Sequence, residues 1–226
     1  MFSLAAVGGD KPDAVDVLAA NMRTAHASSV HYRVAITMTQ ADTPMTLHIQ
    51  GGAAADRLSV HLSLGLQSAS IMRDRPFLYE SAPQGIVILG NISWLRLQIA
   101  HRSPRSQVLS SLRSLTPAPL LHVVAEAKLR PVGKGNVFSG PVAYDDPVVR
   151  TSLHDLSGGF EFRNLRVHVV VGKDGLIHRF LLTGRTADGT RTLALRADLF
   201  GFGKPVKVRP PRPGTFMDPQ LPNLQS

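Results

Sequence analysis

Hydrophobic and polar positions change their spacing several times along the chain, and each change marks an element. After Asp10-Lys11-Pro12-Asp13, a capping start with acid and proline in the first turn, Val15, Leu18, Met22 and Ala25 recur at helical spacing. This predicts an N-terminal helix that stops at Ser28-Ser29. The period then drops to two. Val30, Tyr32, Val34, Ile36 and Met38 alternate with His31, Arg33, Ala35, Thr37 and Thr39, the pattern of a strand with one buried face. The same alternation returns in Met45, Leu47 and Ile49, and again in Leu58, Val60, Leu62 and Leu64. Shorter extended runs over 68–73, 77–80, 86–90 and 93–98 are punctuated by Asp74-Arg75-Pro76 and Ala82-Pro83, so this part reads as an antiparallel meander.

The middle of the chain returns to helical spacing. Ser103-Pro104 starts a helix whose apolar face is Val108, Leu109, Leu112 and Leu115; Thr116-Pro117-Ala118-Pro119 breaks it, and Leu120, Leu121, Val124 and Ala127 predict a second. Strands resume over 128–132 and 137–144, and Asp145-Asp146-Pro147 predicts a capped short helix reaching Asp155. Runs over 161–171 and 176–183 flank Lys173-Asp174-Gly175, a strong hairpin signal. Ala187-Asp188-Gly189 is another such turn, leading into Leu193, Leu195, Ala197 and Leu199, and 206–209 reads as a last strand before a proline-rich tail.

About ten or eleven strands, one N-terminal helix and a middle helical pair define an α+β fold. A large antiparallel sheet of that width must hide one face. The expected solution is a curved sheet forming a half-open barrel, with the N-terminal and middle helices across its concave face. Residues 10–226 read as a single domain. Residues 1–9 read as a separate tail without structure: Leu4-Ala5-Ala6-Val7-Gly8 resembles a bacterial lipobox with Val7 where the lipidated cysteine would stand, and no basic export segment precedes it.

Composition narrows the function. A hydrophobic content of 43% excludes a disordered chain, and no apolar run reaches the length of a membrane-spanning helix. With no cysteine, disulfides, thiolate metal sites and a cysteine nucleophile are excluded. Basic residues outnumber acidic ones 25 to 16, mostly as arginine, and the net charge of +9 favours an anionic partner such as a membrane surface or a phosphate-bearing headgroup. Three tyrosines and one tryptophan provide little stacking surface, which argues against nucleic acid.

Catalytic signatures are missing. There is no nucleophile elbow, zinc-binding H-E-x-x-H, P-loop or dinucleotide fingerprint, and Gly133-Lys134-Gly135 reads as a hairpin turn. None of the nine histidines forms a close chelating pair, and His31, His48, His61 and His168 fall at strand positions facing solvent. Asp145-Asp146 reads as a cap, and Trp94 as a core residue. No metal or cofactor is expected. What stands out instead is the apolar supply: leucine and valine fill the inward parity of the strands, and the middle helices carry them on more than one side.

Three segments carry a family resemblance. Residues 167–180, Val-His-Val-Val-Val-Gly-Lys-Asp-Gly-Leu-Ile-His-Arg-Phe, are a strand, an Asp-Gly turn and a returning strand. Residues 199–208, Leu-Phe-Gly-Phe-Gly-Lys-Pro-Val-Lys-Val, and Ser93-Trp94-Leu95-Arg96-Leu97 are the others. In order and spacing they resemble the LppX/LprG family of actinobacterial cell-envelope lipoproteins, relatives of the LolA carriers, over roughly residues 12–218. The resemblance implies a LolA-like half-barrel whose hydrophobic cavity binds acylated lipid or glycolipid. It also implies transport or presentation at the extracytoplasmic face of the membrane, without cofactor or catalytic residues. The expected cavity lining is Val34, Ile36, Leu47, Val60 and Leu62 from the sheet, and Leu112, Leu121 and Val124 from the helices. The expected partners are the lipid and an anionic membrane surface, not nucleic acid, with the protein a monomer. Two alternatives stay open: an intracellular cyclase-type enzyme using the apolar chamber on a hydrophobic natural product, and an interaction domain whose groove takes a peptide.

Overall fold

The computed structural model describes residues 14–74, 76–81, 93–98, 116–133, 135–157 and 160–218. Its centre is one 12-stranded sheet. Four long strands come first: β1 (Ser29–Gln40), β2 (Thr43–Ala54), β3 (Arg57–Leu64) and β4 (Gln67–Asp74). The short strands β5 (Phe77–Ser81), β6 (Trp94–Gln98), β7 (Arg130–Pro131) and β8 (Val137–Val142) follow. After them come β9 (Phe162–Val171), β10 (Ile177–Thr186), β11 (Arg191–Phe200) and β12 (Phe216–Met217). Three helices are described: α1 (Ala14–Ala25), α2 (Ala118–Glu126) and α3 (Pro147–Ser157). The strand order is β12-β6-β5-β4-β3-β2-β1-β11-β10-β9-β8-β7, so the sheet is open and uncurled, with β12 and β7 at its two edges. Every pairing is antiparallel except β12 with β6.

Register joins the inward residues into continuous apolar rows. Val34 lies opposite Ile49 on β2 and Ala197 on β11; Ile49 then faces Leu62, and Ala197 faces Phe180, which faces Val169. Because side chains alternate across a strand, one parity on all these strands shares one face. The helices pack there, α1 against β10 and α2 between α1 and α3. Two turns use local polar chemistry as the sequence suggests. Asp146 caps α3 by accepting the Val148 and Val149 N–H groups at 2.8 and 3.2 Å. Asp174 accepts the Leu176 N–H at 3.1 Å beside Gly175, whose φ of 70° suits glycine.

Three expectations are corrected. The buried face of α1 is Val17, Ala20, Asn21 and Thr24, whereas Leu18 and Met22 point to solvent at 51% and 56% exposure. Polar groups win that face because they complete backbone hydrogen bonds across elements. Asn21 donates to the Leu121 carbonyl at 3.0 Å, and the Thr24 hydroxyl accepts the Ile177 N–H at 2.9 Å while donating to Ala20. Second, residues 206–209 form no strand; Val206 is buried alone, and the chain runs on to pair as β12. Third, Trp94 is a half-buried residue on the outward face, not core. The extended run at 86–90, the helix expected over 103–115 and the tail at 1–9 lie outside the described residues.

Candidate functional site

The inward face of the sheet changes character along its width. On β8 to β11 and β1 it is closed: Phe138, Val167, Val169, Phe180, Leu182, Leu195 and Ala197 are all at 2% exposure or less. On β2 to β6 the same parity holds Ile49, Leu58, Val60 and Leu78, buried like these, and the exposed Glu80. Its other members include Met45, Leu47, Leu62, Leu64, Ala69, Ile71, Arg73, Leu95 and Leu97. Met45 is exposed at 58%, the rest are half-buried, and Leu66, at the tip of the β3–β4 hairpin, is 96% exposed. Leu47 faces Leu64, Leu62 faces Ala69 and Val60 faces Ile71, so these residues form a contiguous apolar strip opening toward the hairpin tips.

All the expected lining residues among the described ones join a single hydrophobic cluster. Val34, Ile36, Val60, Leu121 and Val124 are buried within it, while Leu47 and Leu62 lie half-buried against it. Leu112 lies outside the described residues. Leu64, Ala69, Ile71, Leu95 and Leu97 share the inward face with the expected lining and were not among it; the short runs over 68–73 and 93–98 carry their signal.

Between the closed and open parts lies Tyr32, fully buried, with its hydroxyl unpartnered. Gly51 makes room for it, because a Cβ there would come within 2.9 Å of the Tyr32 oxygen and 2.6 Å of the Ser59 carbonyl. Burial without a charge partner pushes the phenol well above its usual pKa, so it is a neutral hydrogen-bond donor at any physiological pH.

At the end where β8 leads to α3, a cleft of about 470 Å³ has the core residues Val142 and Phe162 in its lining, along with Tyr144, Asp145, Arg150, Glu161 and Arg163. The Tyr144 hydroxyl donates to the Phe160 carbonyl at 2.9 Å, and its pKa is raised by burial and by Glu161, against the opposite pull of Arg150. Glu161 and Ala187 also line a second hollow of about 310 Å³ with Asp188 and Arg191, the latter stacked 3.9 Å over the Phe160 ring. Opposite charges alternate around these hollows, which therefore suit a polar or zwitterionic group better than a pure anion.

Among the described residues no cluster of three or more His, Asp or Glu side chains is placed to hold a metal. His61 touches Ser70 at 3.0 Å on the outward face, and His178 touches Asp174 at 2.9 Å in the β9–β10 hairpin. The two pairs share no residue, so they do not assemble a nucleophile, base and orienting acid.

Among solved structures the chain is similar to LprF from Mycobacterium bovis, with a TM-score of 0.49 and 12% identity over 89% of this chain and 99% of that one. It is also similar to the lipoprotein LppX of Mycobacterium tuberculosis, with a TM-score of 0.45 and 14% identity over 87% of this chain and 97% of that one. A LolA superfamily protein from Nitrosomonas europaea matches with a TM-score of 0.29 and 9% identity over 88% of this chain and 95% of that one. LppX and the LolA group are the names to which the strand-and-turn resemblance points. No family model and no curated protein matches the sequence.

Proposed function

We propose that the chain is a non-enzymatic carrier that holds the acyl part of a lipid or glycolipid between its sheet and its helices. The observation that carries this reading is the set Leu47, Leu62, Leu64, Ala69, Ile71, Leu95 and Leu97, half-covered apolar side chains on four strands, β2, β3, β4 and β6, with Glu80 of β5 standing between Ile71 and Leu95. A face of that chemistry is costly to leave in water and fits a hydrocarbon ligand. Acyl chains laid on it would extend toward Val34, Ile36, Val60, Leu121 and Val124, the deeper members of the same cluster. Each methylene withdrawn from water contributes about 0.8 kcal/mol, so a chain of about 15 methylenes offers roughly 12 kcal/mol before ordering and displaced contacts are subtracted. The polar hollows beside α3 offer a place for a headgroup, with Arg150 and Arg163 available to oxyanions and Glu161 to an ammonium.

On this reading the carrier works at the extracytoplasmic face of the membrane, which the family resemblance supports, as a monomer with an anionic membrane surface as second partner, which the net charge of +9 supports. The test is native mass spectrometry of the purified protein, followed by organic extraction and identification of what is released. Near-stoichiometric lipid supports the carrier. A ligand-free mass that persists after incubation with envelope lipids overturns it, and turnover of a hydrophobic substrate would favour the cyclase alternative.

A further inference from the structure

The outward face of β7 to β11 and β1 carries a concentration of charge that the lipid cargo does not use. Arg33, Arg130, Arg166, Arg179, Arg185 and Arg196 all sit at outward positions of these strands and all are exposed. The one acid at outward positions of the same strands is Asp198, shared by Arg179 at 2.7 Å and Arg196 at 3.0 Å. Register spreads the six arginines over four rows, a field of about 20 Å by about 24 Å at ordinary sheet spacings. Between them stand the small Thr37, Thr183, Ala35, Ala194 and Ser139, and the half-buried Leu181 and Val170. His168 and His48 lie in the row of Arg196.

We propose that this face is a docking surface for an anionic membrane, whose headgroup phosphates the arginines engage. This deepens the partner half of the reading above and stands apart from its cargo half. Guanidinium groups grip phosphate oxygens in pairs, and arginines spread over one sheet face can engage several headgroups at once. A protein partner would look for buried aromatic anchors, and single-stranded nucleic acid for stacking rings. The field offers only Phe200 at its border, already stacked on His31 with Arg33 5.3 Å from its ring. A field about 24 Å across does not enter a duplex groove about 12 Å wide either. Docking by this face leaves the apolar face and the helices unobstructed.

The experiment is co-sedimentation of the full chain with vesicles of phosphatidylcholine, with or without about one-third phosphatidylglycerol, at several salt concentrations. Wild type is expected to bind the anionic vesicles only, with affinity falling as salt rises. Arg33→Gln, Arg166→Gln and Arg185→Gln combined should weaken binding about 100-fold, at about five-fold per arginine. A control carrying Arg57→Gln, Lys173→Gln and Lys207→Gln removes the same charge from exposed positions outside the field and should bind within a few-fold of wild type. Equal binding to neutral vesicles overturns the proposal, as does equal loss in both triple variants, which would make net charge the cause. Preference for a nucleic acid duplex over anionic vesicles also overturns it. Lipid extraction from the same preparations reports cargo separately, so failure at the membrane and failure of the carrier reading are distinguishable.

Discussion

The two parts of the sheet share one alternation and differ in what lies on it. On β8 to β11 and β1, inward residues such as Phe180 and Leu182 are sealed beneath α1, α2 and α3. On β2 to β6, inward residues such as Leu62 and Leu95 keep part of their surface in contact with solvent. Their amino acids are interchangeable in kind; position relative to the helices sets their energetic role. The first part is a core in the strict sense; the second is core at Ile49, Leu58, Val60 and Leu78 and half-covered apolar surface at residues such as Leu47, Leu62, Ile71 and Leu95.

The largest expected effect separates these two roles directly. Phe180→Ala should lower unfolding free energy by about 3–5 kcal/mol in urea titrations, because a close-packed cavity remains behind. Leu62→Ala, with less to lose, should cost under about 2 kcal/mol yet reduce lipid loading markedly. Equal stability losses would erase the distinction. Next in size, Val124→Trp should strain the helix–sheet junction by about 1–3 kcal/mol and block loading, measured by the lipid recovered per protein. Unchanged loading would remove Val124 from the site. Thr24→Ala leaves the Ile177 N–H without its partner and should cost about 1–3 kcal/mol on the closed part alone, visible as faster exchange of that amide.

The smallest effect is a pH dependence. The carboxyl of Asp188 is held down to about 2 by the Thr186 hydroxyl and by Thr190. Asp198 is lowered as well: burial works to raise it, and the Arg179 and Arg196 hydrogen bonds outweigh that. Groups depressed in the folded state contribute stability that is present above their unfolded value near 3.8 and lost as pH falls through the folded one. Melting temperature should therefore decline in acid through that window, and the decline should shrink in Asp188→Ala. The fully exposed setting of Asp188 keeps the effect modest.

How legible the fold is depends on whether a residue answers to periodicity or to a distant partner. The alternation of β1 to β3 and of β9 to β11 is readable because each strand presents one apolar face over ten residues or so. In α1 the same logic selects Leu18 and Met22, yet Asn21 and Thr24 are buried, because they serve backbone groups on α2 and β10 that no local pattern reveals. Trp94 misleads for a related reason. Its strand does alternate, but the outward side is partly covered by the returning chain, where Arg96 lies 4.3 Å from the Phe216 ring and binds Asp218 at 2.6 Å. Of the candidate site, the inward parity was readable. The contrast between sealed and half-covered positions was not, since it depends on where the helices settle.

The shape of the two edge strands has a consequence for the molecule's behaviour in a crowd. A 12-stranded open sheet should be an invitation to pair edge to edge with its neighbours. Here each border ends in a strand of only two residues, β7 with Arg130 and Pro131, and β12 as a short parallel cap on β6. Proline withholds a donor and arginine repels its own copy, while β12 occupies the rim of β6 with its first contacts at Thr215, whose carbonyl accepts the Ser93 and Trp94 N–H groups. Cutting the chain between Gly203 and Thr215 would release that cap and bare a rim of five residues. A protein so nicked should grow ordered aggregates on standing, whereas the intact chain stays dispersed.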